Sequence, residues 1–272
     1  MRSFSAPRWT SSLGAIFAPN ALVPSGAMRV LIAIQVAVLL GLWFASPFKV
    51  LPYPQEVIAS ISDLYMNRGL GREVLTSFTL NLQALAISTV IALGLAYLTV
   101  IPFFRPLVLA LSKGRFLSLT GFSAVFTLMV GGGQTLKLTL LVIGITVFYV
   151  TSMAAVIAEI PKEAYDHART LRMSEWRTVW EVVILGTADR ALEVLRQNAA
   201  IGWMMLTMVE GISRSEGGVG ALLLNQYKYF RLADVFAIQI VILLVGLLQD
   251  YGIEGTRRLL CPYAYLTLER KK

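Results

Sequence analysis

The stretch that decides the architecture covers residues 136–209. It opens on LKLTLLVIGITVFYVTSMAAVI (136–157), passes through EIPKEAYDHARTLRMSEWRTVWEVVILGTAD (159–189) and closes on LEVLRQNAAIGWMMLTMV (192–209). The two flanking pieces are apolar over nearly the length a helix needs to cross about 30 Å of hydrocarbon at about 1.5 Å per residue. The middle piece is polar, yet it carries helical signals of its own. A pair of membrane spans joined by a structured polar excursion is therefore the first unit the sequence defines.

The same length criterion marks further spans at 30–46, 79–101, 116–130 and 235–248, six in all. The expected fold is an all-α membrane protein of about six transmembrane helices, with a two-helix loop at 159–189. Composition agrees. Of 272 residues 56% are hydrophobic and 15% charged, with mean hydropathy +0.68; a soluble domain carries about a quarter charged residues. The chain divides into an N-terminal segment 1–29, a membrane domain 30–260 and a basic tail 261–272.

Several function classes fall away. The single Cys261 excludes a disulfide framework and cysteine metal sites, and the single His167 excludes a multi-histidine one. No metal site and no catalytic constellation is expected. Gly131-Gly132-Gly133 lacks the following Lys-Ser/Thr of a phosphate loop and reads as a turn. The net charge of +8 does not signal nucleic acid, because the basic residues cluster between apolar runs, where they orient a membrane protein. Arg2, Arg8, Arg29, Arg105, Lys113, Arg115, Lys162, Arg169, Arg172, Arg177, Arg190, Arg257, Arg258, Arg270, Lys271 and Lys272 form the richer set. That set is expected on the cytoplasmic side, with both termini. The first apolar run has the length of a span rather than of a signal core, and is expected to be retained.

Two segments on the opposite side are more than plain loops. Leu51-Pro52-Tyr53-Pro54 reads as a proline-fixed turn into a short interfacial helix over 55–65. Ser215-Glu216-Gly217-Gly218-Val219-Gly220 precedes an apolar run too short to cross, and predicts a small lid or re-entrant piece.

Within the polar excursion, Pro161 sits at a helix start, acids occupy the first turns and basic residues follow, as the helix dipole favours. Ser174 is placed to cap a second helix. There Trp176, Val179, Trp180 and Val183 form an apolar stripe at helical spacing. Such a pair of amphipathic helices suits either the lipid interface or a soluble partner.

This segment resembles the "EAA" coupling loop of binding-protein-dependent ABC importer permeases, especially the nitrate/sulfonate/taurine type. Pro161 takes the place of the family proline, Asp166-His167-Ala168 of Glu-Ala-Ala, Arg169 of the arginine that follows, and Trp176 of the aromatic. Leu51-Pro52-Tyr53-Pro54, Gly217-Gly218-Val219-Gly220 with 222–225, and Arg257-Arg258-Leu259-Leu260 resemble further family elements in the same order. Arg172 stands at the family glycine and Leu185 at the terminal proline. If that turn requires positive φ, Arg172 is strained by about 1–2 kcal/mol.

The resemblance implies a permease subunit in a bacterial inner (plasma) membrane, partnered by an ABC ATPase, a second permease copy (most simply the same chain) and a periplasmic or lipid-anchored solute-binding protein. ATP and Mg would sit on the ATPase, with no cofactor on this chain and no nucleic acid. It also implies that Pro161, Glu163, Asp166, His167, Ala168, Arg169, Arg172 and Trp176 couple to the ATPase. Asp166 and Arg169 would make polar contacts and Ala168 close packing, and the substrate would be a small anion.

Among residues within spans, Arg196, Trp203, Met204 and Gln239 are candidates for the substrate pathway. Arg196 either snorkels, pairs with Glu193 or attracts an anion. Trp203, Met204, Met205 and Met208 form a soft apolar patch, read first as core. Asn81, Gln83 and Gln239 suit helix–helix hydrogen bonds, and Glu159 and Glu210, at span ends, are expected in solvent. An ion-coupled secondary transporter and a membrane scaffold are the competing readings.

Overall fold

The computed structural model describes residues 25–46, 48, 50–213 and 216–263, all of whose regular elements are helical. Contacts divide the chain into two units, Met1–Ile58 and Ala59–Lys272.

In the first unit, helix α1 (Ser25–Phe44) exposes Ile32, Ile34, Val36, Leu39 and Leu42 on several faces. A helix apolar all round satisfies its backbone internally and suits a lipid surround. Beyond it the Trp43 indole donates to the Pro52 carbonyl at 3.0 Å. The Glu56 carboxylate accepts from the Tyr53 amide at 3.0 Å and closes the first turn of α2 (Pro54–Asn67). This is the proline-fixed turn and helix the sequence predicts.

The second unit is built around α6 (Gln134–Ala158), whose buried residues lie on every side of it. Along one flank runs α3 (Leu70–Leu98). Ser77, Asn81, Ala84, Ser88, Ala92 and Ala96, all fully buried, line its inner face; small side chains at these spacings let two helices approach closely. On the other flank lies α9 (Ala188–Ile212), which also packs on α11 (Leu232–Leu260) and on the short α10 (Val219–Lys228). The lid expected at 215–224 is α10.

Among the described residues four helices are long and apolar enough to cross a membrane: 26–44 of α1, α3, α6 and α11. The expected fifth span is α9, equally long, but carrying Asp189, Arg190, Glu193, Arg196 and Glu210. The expected third span, 116–130, shortens to α5 (Leu119–Val130); before it come α4 (Arg105–Ser112), a 3-10 turn (Lys113–Phe116) and extended backbone at Leu117 and Ser118, all packed along α6.

That break corrects the expectation for Lys113 and Arg115. A Cβ on Gly114, between them, would lie 3.6 Å from the Val147 side chain. Val147 is near the middle of the 25-residue α6, about 20 Å from one end and about 17 Å from the other at 1.5 Å per residue. Lys113 and Arg115 therefore lie level with the middle of α6, not in a loop at its end.

Candidate functional site: the 160–187 element

Pro161, extended at φ −67° and ψ 146°, starts α7 (Lys162–Thr170). The helix ends in a Schellman turn: the Arg172 amide donates to the Arg169 carbonyl at 2.9 Å and the Met173 amide to the Ala168 carbonyl at 3.2 Å. This turn puts its C′ residue in the left-handed region, and Arg172 has φ +55°. Arg172, which the resemblance sets at a glycine position, thus takes a left-handed conformation while bearing a side chain.

Ser174 caps α8 (Glu175–Thr178), its hydroxyl accepting from the Arg177 amide at 3.4 Å. The helix then widens into a π-helical turn, Val179–Leu185, and the Gly186 amide bonds the Glu181 carbonyl at 3.1 Å. A side chain at Gly186 would run into the Val182 carbonyl, so this residue must be small.

The expected stripe of Trp176, Val179, Trp180 and Val183 divides. Val183 is fully buried and Val179 half-buried against a core containing Ala96, Tyr149, Met153 and Ile157. Trp176 and Trp180 are 73% and 57% exposed. The inward face runs through Thr178, Val179, Val182 and Val183, so Trp176 and Trp180 fall beyond its edge and turn outward. Tyr165 also packs on this core, and burial pushes its phenol up. Ala168 is buried within the chain, which corrects the expectation that it lies open for close packing against a partner.

Facing outward are Pro161, Glu163, Asp166, His167, Arg169, Arg172 and Trp176. Arg169 holds Asp166 at 3.4 Å and Glu175 at 3.8 Å, all three exposed. The element is tied to the bundle behind it. The Thr187 hydroxyl donates to the Val183 carbonyl at 2.6 Å and lies 3.5 Å from the Tyr97 hydroxyl, and Tyr149 donates to the Ala191 carbonyl at 3.1 Å. One surface of charge and exposed indole is thus mounted on an apolar anchor.

The candidate pathway residues separate. Arg196, Trp203 and Gln239 line one groove of about 360 Å³ between α9 and α11. Met204 lines another cavity, of about 480 Å³, with Met205 and Met208. Arg196 is ion-paired rather than free: it holds Glu193 at 2.7 Å and Asp250 at 3.0 Å. Glu193 also accepts from Arg257 at 2.9 Å. Gln249 accepts from both the Trp203 indole at 2.7 Å and the Asn81 amide at 3.1 Å, the helix–helix hydrogen bond expected of Asn81. Gln83 and Gln239 are exposed instead.

No protein-family profile matches the sequence. Over 94 residues the chain is 32% identical to a Methanocaldococcus jannaschii protein named as an ABC transporter permease. That match takes in 35% of this chain and 35% of the relative's length. Across 71% of its length the structure also superposes on a chain from inward-facing structures of the MetNI methionine ABC transporter, covering 97% of that chain at TM-score 0.56 and 18% identity. This protein shares its fold with a chain of an ABC transporter. It is an all-α, multi-pass membrane protein.

A second polar cluster lies at the other end of the bundle, where the sequence places Glu210 in solvent. The structure contradicts this: Glu210 is fully buried. Its carboxylate accepts from the Ser77 hydroxyl at 2.5 Å and the Gly220 amide at 2.7 Å, and Ser77 in turn accepts from the Val219 amide at 2.9 Å. Glu73 accepts from the Gly218 amide, and Lys137 donates to the Gly217 carbonyl at 2.8 Å. Gly218 has φ +103°, and a Cβ there would enter the Glu210 carboxylate. The N-terminus of α10 is therefore seated on two carboxylates, as its free amides and dipole favour. The signal in the sequence was the pairing of in-span Glu210 with the glycine run seven to ten residues later. Glu159 is exposed, as expected, and meets Arg190 at 3.3 Å.

Proposed function

We propose that this chain is the membrane-spanning permease subunit of an ATP-driven importer, docking a separate ATPase on the 160–187 element. The observation that carries the reading is the build of that element: capped at both helices, anchored by Val179, Val183 and Tyr165, and presenting Asp166, His167, Arg169 and Trp176 outward. An interfacial helix lying on lipid would turn its apolar side out and its charges sideways. Here the apolar side is held by the protein, and the exposed side is mixed charge with two indoles, the composition of a protein contact. The permease relative and the ABC-transporter fold support the same reading.

On this reading ATP and Mg belong to the ATPase, a second copy of this chain completes the pathway, and a solute-binding protein delivers substrate to the end carrying α10. The 160–187 end faces the cytoplasm, in the plasma membrane of a bacterium. The sequence-based expectation of a small anionic substrate is not carried by Arg196, whose charge is matched by Glu193 and Asp250.

The test is co-purification of the tagged chain with the ATPase encoded beside it. Wild type should retain the ATPase; Asp166→Lys and Trp176→Ala, both at exposed positions, should lose it while remaining monodisperse. Retention by both variants, or no association of the wild type, would overturn the reading.

A further inference from the structure

The break at 113–118 leaves two cations level with the middle of α6, and so near the midplane if α6 spans the bilayer, with no acid paired to them. Among the described residues neither Lys113 nor Arg115 is ion-paired, and the Arg115 guanidinium rests over the Phe116 ring at 5.1 Å. Both side chains are exposed on this chain. A cation held at the centre of a bilayer costs about 3 kcal/mol even by lenient insertion scales, and such groups face a water-filled path or a partner charge rather than acyl chains.

Arg115 lies on the rim of the cavity of about 480 Å³ already met at Met204. Its walls are otherwise almost wholly apolar, with Phe122 and Phe126 of α5, Phe148 of α6, and Met205 and Met208 of α9. Leu117, Ser118 and Leu119 border it too, so the first turn of α5 opens at the same place. Ser118 places no side-chain cap on that turn, which leaves backbone amides and the positive end of the helix dipole on the same cavity that Arg115 borders. Discontinuous helices whose half-helix N-termini meet near the midplane are how membrane transporters build anion sites.

We propose that the broken 105–130 segment and this cavity bind an organic anion with an apolar body, its anionic head on Arg115 and the first amides of α5, its body among the phenylalanines and methionines. The inference rests on the permease reading, in that it places substrate here. It moves the pathway away from the Arg196 groove, whose cation is already neutralised. The methionines are adaptable side chains, suited to several body shapes, so the site selects on charge and apolar size rather than on a hydrogen-bond pattern.

The test is equilibrium dialysis of radiolabelled 2-naphthoate against the full chain in lipid nanodiscs, with empty nanodiscs as the blank. Saturable binding above the blank is expected. Arg115→Gln, which removes an exposed charge and leaves the core intact, should weaken it by about tenfold, the worth of one charge-assisted contact. Arg115→Lys should recover part of the loss. Met204→Trp, which adds bulk at an exposed position on the cavity rim, should also weaken binding, and 2-naphthylmethanol should bind without regard to residue 115. Binding no greater than to empty nanodiscs, or equal in wild type and Arg115→Gln, would overturn the site. ATPase co-purification of the same samples separates the two claims: association kept with anion binding indifferent to Arg115 removes the site alone, and binding kept without association removes the permease reading alone.

Discussion

At the scale of the residue, Arg172 and Glu210 show how one side chain can be judged from backbone demands. Arg172 sits at φ +55° because the Schellman turn needs its C′ residue there, not because arginine favours it. Arg172→Gly should relieve about 1 kcal/mol of strain, read as slower hydrogen exchange at the amides of 171–173; unchanged or faster exchange would contradict the assignment. Glu210 is the reverse case, a charge that the backbone calls for. Glu210→Ala would strand the Ser77 hydroxyl and the Gly220 amide in a buried site, and should cost about 2–3 kcal/mol, seen as a lower denaturation midpoint in detergent. Glu210→Gln, which keeps an acceptor, should lose less. What the sequence could tell of these two differed. The Arg172 turn was legible because the glycine position could be located by pattern. A carboxylate at a span end reads as solvated until the Gly220 amide, ten residues on, and the Ser77 hydroxyl, across the bundle, are brought to it.

At the scale of the element, apolar runs located most spans within a few residues, because hydropathy and length are local properties. They could not reveal the break at 113–118, where two basic residues beside an apolar run imitate a cytoplasmic connection. Nor could they show that the last helix continues past the apolar run to Leu260, carrying Gln249 and Asp250 into contact with α9. The two-helix excursion was visible from its proline, its caps and its charge order. Its outward face was not, since an apolar stripe alone does not say which of its edges meets the core, and here Val179 and Val183 do while Trp176 and Trp180 do not. Two expectations belong here. Gly218→Ala should loosen α10, through both its positive φ and the Glu210 carboxylate in the way, and limited proteolysis should then cut within 213–220. A double-mutant cycle on Arg196 and Asp250 should return a coupling of about 1 kcal/mol, the modest value of a partly exposed ion pair.

At the scale of the whole molecule, the structure places the 160–187 element, a charge-matched groove and a clasped α10 on one helical scaffold, with α6 touching the segments that lead to each. The 160–187 element and the α10 clasp lie at opposite ends of the bundle and the cationic break between them, which is the layout the permease proposal draws on. The central claim is that the exposed face of the 160–187 element seats an ATPase, and site-directed cysteine crosslinking tests it most directly. The chain has one native cysteine, Cys261, so Cys261→Ser supplies a clean background. In membranes containing the neighbouring ATPase, Asp166→Cys and Trp176→Cys should crosslink to it, and Leu128→Cys, equally exposed but on α5, should not. Crosslinks absent from Asp166→Cys and Trp176→Cys, or formed as readily from Leu128→Cys, would contradict the account.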